Sequence, residues 1–351
     1  VGPLSTALPE SQDIAWFRDS ESLPVAARSA ATALARRIGL GDQRAAEVAL
    51  AITEAATNLR RHAVDGSLLL RVLRTEEDAA VEFLTLDNGP GMRDIPYAMA
   101  DGTSSAGTLG IGLGAIARLA DTFDVHSLPD RGTVLVARFW GRGRVPAAAA
   151  PGSLGVAGLT RPISGEESCG DAWAARWAAG PAGPDRALLV MFCDGLGHGP
   201  LAAVASQRAV AAFRAGTAEA PADVLTGIHH ALNGTRGGAA AVVRIEPAAG
   251  RVRFCGVGNI SGFTSDPQKR HALLSAPGIV GHQLPTLRTH EQPLPPDGAV
   301  VLHSDGLTER WQPAALPGLL RHLPVVTAGL LLREAGVRRD DAGVVVARVL
   351  R

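Results

Sequence analysis

Residues 141–153 read GRGRVPAAAAPGS, and this segment constrains the chain more than any other. It has no apolar period, and Pro146 and Pro151 limit the alanine run to about one helical turn. A chain of 351 residues interrupted in this way reads as two domains rather than one continuous core. The expected division is a domain over 10–140, a linker over 141–153 and a second domain over 154–351. As a flexible coil, about 13 linker residues span roughly 20 Å, which keeps each domain at high effective concentration near the other's substrate.

Composition then removes several classes. Hydrophobic residues make up 46% and charged residues 19%, so both halves can bury cores and global disorder is excluded. Lys+Arg and Asp+Glu each total 34, which leaves no net pull toward nucleic acid or an anionic membrane. The single lysine, Lys269 in SDPQKR, follows no GxxxxG and lies on no kinase-type strand. A P-loop enzyme and a eukaryotic-type kinase are therefore excluded. Any phosphate must be held by backbone amides, Arg and metal. Cys169, Cys193 and Cys255 form no CxxC pair, against a zinc knuckle or disulfide framework. With no apolar run of 18 residues and no basic-then-apolar leader, the expectation is a cytoplasmic protein.

The first half reads as α+β. Asp42 is the expected N-cap of a helix through QRAAEVALAITEAATNLRRHA, with Gly66 as its stop signal. SLLLRVLR and AAVEFLTL read as strands, and FDVHSL with GTVLVARFW as a terminal hairpin. Glu54 and Asn58 share one face of the helix. Asp87 ends a strand and opens DNGPG, and GIGLG leads into a further helix. These parts suit a lysine-free nucleotide site. The Asp87 carboxylate can accept an adenine amine, and Gly89 and Gly91 let backbone approach the base. Asn58 offers an oxygen to Mg²⁺, and Glu54 can orient or deprotonate an attacking hydroxyl. Gly110, Gly112 and Gly114 open a helix N-terminus that favours phosphate. Taken singly, Glu-x-x-x-Asn is a solvated helix face and DNGPG a plain turn. Their order over about 60 residues is what points to nucleotide.

That order, with Gly132–Thr133 after it, resembles the GHKL ATPase superfamily, and within it the anti-sigma-factor serine kinases of the RsbT type. NLRRHAVDGSLLLRV, DNGPGM, ADGTSSAGTLGIGLGAIARLADTFDVHS and RGTVLVARFW carry the likeness, over roughly residues 20–140. The resemblance implies a GHKL (Bergerat) α/β sandwich that binds ATP and Mg²⁺. Asn58 would hold the magnesium, Glu54 would act as base and Asp87 would contact adenine, with Thr133 supporting Asp87 through a water. Asp101–Thr108 would form a short lid. A histidine kinase would need a phosphoacceptor hairpin before the ATPase domain, and a gyrase-type ATPase a transducer lysine; neither is seen.

In the second half, ALLVMFC, AAAVVRIEP, RVRFCGVG, AVVLHSDG and GVVVARVL read as strands. LAAVASQRAVAAFRA, ADVLTGIHHALN and the neighbourhood of GLLLREAG read as helices, which suits a layered sandwich with helices outside. Asp171, Asp194, Asp305 and the pair Asp340–Asp341 stand at strand edges. Asp194 and Asp305 precede glycine. An isolated Asp-Gly is a hairpin turn, but these two end apolar runs and enter irregular or helical sequence. Together the aspartates point to an oxygen-ligand site for paired Mg²⁺ or Mn²⁺ ions, which make hydroxide and neutralise a phosphoryl group.

The order GD…DGxGHG…SDG…RDD resembles the metal-dependent protein phosphatase (PPM) family in its SpoIIE-like branch, most closely the RsbX type, over about residues 155–351. This implies an α-β-β-α sandwich. Asp194 would bridge two ions, with the Gly195 carbonyl as a further ligand. Asp305 and Asp340 would complete one ion, Asp340 being favoured over Asp341, and Asp171 would act through the second. His198 could reach substrate phosphate or cap the following helix. Arg161 and Arg236 are the candidate phosphate-binding arginines.

The two resemblances together imply a kinase and phosphatase for Ser/Thr in bacterial partner switching. The expected partners are STAS-domain antagonist or stressosome proteins, with a sigma factor or a downstream phosphatase further along. Nucleic acid and membrane are not expected, and oligomeric state is left open. Two alternatives stand beside it: a phosphatase with a nucleotide-sensing GHKL domain that transfers nothing, and a non-catalytic anti-sigma-binding adaptor.

Overall fold

The computed structural model describes residues 8–100, 112–141, 153–180, 183, 185–337 and 339–350. Its packing divides into two compact units, Val1–Ala148 and Ala149–Arg351. Most of the expected linker, residues 142–152, lies outside the described residues, as do Gly110 and the expected lid Asp101–Thr108.

The N-terminal unit runs β1 (Glu10–Arg18), α1 (Leu23–Arg37), α2 (Asp42–His62), β2 (Ser67–Arg74), β3 (Ala79–Leu86), α3 (Ile95–Met99), α4 (Leu113–Leu119), β4 (Thr122–Ser127) and β5 (Thr133–Trp140). The strands form one antiparallel sheet in the order β1-β2-β3-β5-β4. The pleat turns alternate residues to one face, so Leu68, Leu70, Val72, Val81, Phe83, Leu135, Ala137 and Phe139 join one core. Helix α1 buries Leu23, Ala27, Ala31, Leu34 and Ala35 into that core. Helix α2 adds Ala45, Val48, Ile52, Ala55, Ala56 and Leu59. Both stripes follow the helical period, and their alanines let two helices lie close over one sheet. The α2 cap differs from expectation. Gly41 is the N-cap, its carbonyl receiving the Ala45 amide at 2.9 Å, and Asp42 is the first helical residue. There its carboxylate sits on the positive end of the helix dipole instead of capping. The strand β1 and helix α1 were not anticipated as elements.

The C-terminal unit begins with β6 (Leu154–Arg161), β7 (Asp171–Trp177), β8 (Leu188–Gly195), α5 (Pro200–Ala215) and α6 (Pro221–Ala231). It continues through β9 (Gly238–Glu246), β10 (Arg251–Val257), β11 (Ser261–Ser265), β12 (Arg270–Leu273) and β13 (His290–Pro293) to β14 (Ala299–His303), α7 (Pro324–Ala335) and β15 (Ala342–Val349). Two five-stranded antiparallel sheets result, ordered β13-β10-β9-β8-β7 and β12-β11-β14-β15-β6. Helices α5 and α6 cover the first sheet, and α7 lies on β6 and β15 of the second. This is an α-β-β-α sandwich. No described helix is long and apolar enough to cross a membrane.

Candidate functional site

Each unit carries one set of chemically capable residues. In the first, α2 buries Ile52, Ala55, Ala56 and Leu59, which leaves Glu54 and Asn58 half-buried on the helix's other side. Neither side chain has a hydrogen-bond partner among the described residues. Partial burial raises the Glu54 carboxyl above the ordinary range, and nearby Arg61 offsets part of that.

Asp87 follows β3. Its Oδ1 accepts the Gly89 amide at 2.7 Å, and its backbone exchanges hydrogen bonds with Thr133 at 3.0 and 3.3 Å. The turn is pinned against the end of α2, because the Asn88 amide donates to the Val64 carbonyl at 2.8 Å. A Cβ on Gly89 would stand 2.5 Å from the His62 carbonyl, so this backbone approach requires glycine. Gly132 (φ +73°) is tighter, since its Cβ would stand 1.9 Å from the Asp87 carbonyl. Gly91 adopts φ +63° against Leu128. Gly114 lets α4 press on the Met99 carbonyl, 2.2 Å from where its Cβ would be, while Gly112, the N-cap of α4, has open space.

The Thr133 hydroxyl lies 2.9 Å from the Ser127 hydroxyl, which also receives the Met92 amide at 2.8 Å. Ser127 thus ties the DNGPGM turn to the β4–β5 hairpin, a role that its place in FDVHSL does not signal. A polar residue at a strand end reads as surface.

In the second unit, strand ends deliver the aspartates. Antiparallel pairing sets Asp171 at the start of β7 opposite Asp194 near the end of β8. Asp305 follows β14, and Asp340–Asp341 precede β15, so these arrive from the same end of a neighbouring pair. The two sheets meet here: a Cβ on Gly343 would stand 2.9 Å from both Cβ and Oδ2 of Asp171. Asp171 is 3% exposed; its Oδ2 receives the Ser304 hydroxyl at 2.6 Å, and its Oδ1 is buried with no partner. Ser304 is held in turn by the Gly343 amide at 3.1 Å. Asp305 Oδ2 accepts the Asn259 amide at 2.6 Å.

Asp340 and Asp341 play different parts. Asp341 is buried, and its two oxygens accept the Ile163 and Gly170 amides, each at 2.7 Å. It fastens the loop that leads into Asp171. Asp340 is exposed, and one of its oxygens accepts the Asp341 amide. Gly195 is enclosed; its Cβ would stand 2.2 Å from the Ala202 carbonyl, and its amide donates to Gly170 at 3.0 Å. Ser304, Asn259 and Gly343 were not singled out from the sequence, and only the SDG and GVGN neighbourhoods hinted at them.

Burial, and then repulsion from Asp194, drives the Asp171 carboxyl well upward. Burial, then Asp305 and Asp340, pushes Asp194 up to about 7. A buried carboxylate with an orphaned oxygen, facing a half-buried one and repelled by it without a paired cation, fits a hard divalent ion. Among the described residues no three ligating side chains already form a complete cluster.

His198 does not cap α5. The N-cap is Gly199 (φ +73°), which makes no side-chain cap bond, and His198 Nδ1 stands 3.4 Å from Glu166 Oε1. Arg161 donates to the Val337 carbonyl at 3.2 Å. Cys193 and Cys255 are buried in the β8–β9–β10 core, where desolvation pushes both thiols up.

Residues 18–139 match the histidine kinase-like ATPase domain family, and residues 184–350 match the stage II sporulation protein E (SpoIIE) family. The serine/threonine-protein kinase RsbT of Bacillus subtilis (strain 168) is 34% identical over 116 residues, 33% of this chain and 87% of that protein. A solved chain from a study of the bacterial stressosome, described as a modular system adapted to control secondary messenger signaling, is 30% identical; the match spans 56% of this chain and 100% of that one, TM-score 0.49. RsbX in complex with magnesium is 20% identical over 55% of this chain and 94% of its own, TM-score 0.48.

Proposed function

Since this chain belongs to the RsbT family of histidine kinase-like ATPases in its N-terminal part and carries a SpoIIE-family domain in its C-terminal part, we propose that it is a bifunctional regulator that adds phosphate to, and removes it from, Ser/Thr of STAS-domain partners. The proposed domains are 10–140 and 154–351, joined by 141–153, and the proposed setting is bacterial cytoplasmic partner switching. The observation that carries this reading is that both halves keep their reacting groups. Glu54, Asn58 and Asp87 occupy one unit, and the carboxylates around Asp171 and Asp194 the other.

In the transfer half, Asp87 recognises the adenine amine. The carbonyl of Gly132 and the hydroxyl of Ser127 brace its turn. Asn58 would hold the magnesium that accompanies ATP. Glu54 accepts the proton of the attacking hydroxyl, and its raised carboxyl is the better base for this. In the hydrolytic half, Asp171, Asp194, Asp305 and Asp340, with the Gly195 carbonyl, would hold divalent manganese or magnesium. Such ions supply hydroxide at neutral pH and offset phosphoryl charge. The chain's own part is to aim the carboxylates: Ser304 orients Asp171, Asn259 orients Asp305, and Asp341 fastens the loop before Asp171.

The test uses the purified chain, a STAS-domain protein encoded nearby, and labelled ATP with Mg²⁺. ATP is then removed and Mn²⁺ added. Label that appears and then leaves, the second step being lost in Asp194→Ala, supports both activities on one target. ATP binding without transfer to any STAS protein of a panel overturns the kinase half. No release from pre-phosphorylated members of that panel overturns the phosphatase half.

A further inference from the structure

The carboxylate-rich site has His198 beside Asp340, but its Nδ1 faces Glu166, and no guanidinium is assigned to a substrate phosphoryl group that is close to dianionic. Of the two candidate arginines, Arg161 is spent on the Val337 carbonyl. Arg236 is placed otherwise. The turn that carries it joins α6 to β9 and is held at each residue around it. Thr235 Oγ1 donates to the Leu232 carbonyl at 2.7 Å and receives the Gly237 amide at 2.9 Å. Gly237 takes φ +71°, and a Cβ there would stand 2.5 Å from the Val280 carbonyl, so the turn requires glycine on both counts.

This rigid turn is tied to the loop that follows Asp194. Gly195 and Gly238 are register partners, and the Leu196 amide donates to the Gly237 carbonyl at 3.0 Å. Arg236 Nη1 reaches over that loop to within 3.1 Å of the position a Cβ on Gly197 would occupy. Gly197 (φ +87°) thereby leaves the guanidinium room over the loop that follows Asp194. Arg236 is exposed and makes no hydrogen bond or ion pair among the described residues. A guanidinium delivered by a braced turn, left unpaired, and set two residues beyond the strand end that carries Asp194 is suited to bidentate capture of phosphoryl oxygens.

We propose that Arg236 is the substrate-phosphate-binding residue of the phosphatase site. The inference rests on the phosphatase reading above. Leu196, Leu201 and Val204 stand 51%, 57% and 47% exposed along the same loop and the start of α5, an apolar margin suited to a phosphate carried on a protein.

The test compares the full chain with Arg236→Ala and Arg236→Lys. One measurement is calorimetric binding of inorganic phosphate to the Mn²⁺-loaded protein, and the other is steady-state hydrolysis of p-nitrophenyl phosphate. Arg236→Ala is expected to weaken phosphate binding about tenfold or more and to raise KM by a similar factor, with Mn²⁺ affinity and Tm retained. Arg236→Lys is expected to recover part of the loss. Phosphate affinity and KM within twofold of wild type in Arg236→Ala, while the wild type hydrolyses the ester, would overturn the assignment alone. A wild type that binds Mn²⁺ and neither binds phosphate nor hydrolyses the ester would overturn the phosphatase reading itself, and this assignment with it.

Discussion

The two halves hold their reacting groups in opposite ways. Glu54 and Asn58 stand half-exposed on α2, with no hydrogen-bond partner among the described residues. The helix beneath them is secured by Ile52, Ala56 and Leu59, so the core does not depend on the reacting groups. Asp171 and Asp194 instead lie paired across β7 and β8, and both carboxyls are raised, Asp171 by burial and then Asp194, Asp194 by burial and then Asp305 and Asp340. Here the fold itself carries the electrostatic strain. A site on a helix face can be left loosely defined until its ligand arrives. A site of converging carboxylates must be set up in advance by backbone amides and hydroxyls, at a cost to the stability of the cation-free chain.

The sharpest way to break this contrast is at the reacting groups. Glu54→Gln should lower phosphotransfer by about 10²–10⁴-fold while ATP affinity and Tm stay near wild type. A fall in Tm comparable to a core substitution would show that the helix face is structural after all. Asp194→Asn should lower Mn²⁺-dependent release by at least about 100-fold, yet stabilise the cation-free chain. The sign follows from linkage. Asp194 titrates near 7 when folded and near 3.8 when unfolded, so between those values the folded chain binds more protons. Wild type therefore gains stability as pH falls from 8 toward 4, and the advantage of Asp194→Asn should be largest at pH 8 and shrink below 7. Denaturant melts in chelator at several pH values measure it, and a pH-independent difference would refute the strained-carboxylate picture.

A smaller effect sharpens the comparison within the nucleotide half. Gly132→Ala drives a Cβ into the Asp87 carbonyl at positive φ and should destabilise that unit by about 1–3 kcal/mol, weakening ATP binding with it. Gly41→Ala, at the extended N-cap of α2, meets nothing within 4 Å and should cost no more than about 1 kcal/mol, with ATP binding near wild type. Equal effects in the two variants, read by thermal melts and nucleotide titration, would mean that the Asp87 turn is not held by that close approach.

Much was legible because apolar runs and turn residues coincide with real elements. SLLLRVLR and AAVEFLTL are β2 and β3, and the strand ends after ALLVMF and AVVLH carry Asp194 and Asp305. The elements missed are those whose apolar signal is diluted. Strand β7, DAWAARW, alternates alanine with tryptophan and arginine, and β6, LGVAGLTR, contains two glycines. Gly158 of β6 makes sense only beside Trp173 of β7, whose indole would stand 2.6 Å from a Cβ there. Nothing local in LGVAGLTR announces a neighbour from the other sheet.

By itself, the sequence determined the two-part organisation, the absence of a phosphate-binding lysine, and the residue types able to bind nucleotide or a hard cation. Those follow from composition and from spacing along the chain, which are local properties. The tertiary structure decided which of two adjacent aspartates is fastened by backbone amides and which is exposed. It also put Ser304 on Asp171, set Asn259 on Asp305, and left Arg236 free while occupying Arg161. Glu82 shows the same division. In AAVEFLTL it reads as a surface residue, yet it is fully buried between Arg71 and Arg138 of the flanking strands. The physical reason is common to all of these. A hydrogen bond or ion pair between residues 11 to 178 positions apart exists only once strand register has been set, and register is a property of the assembled sheets.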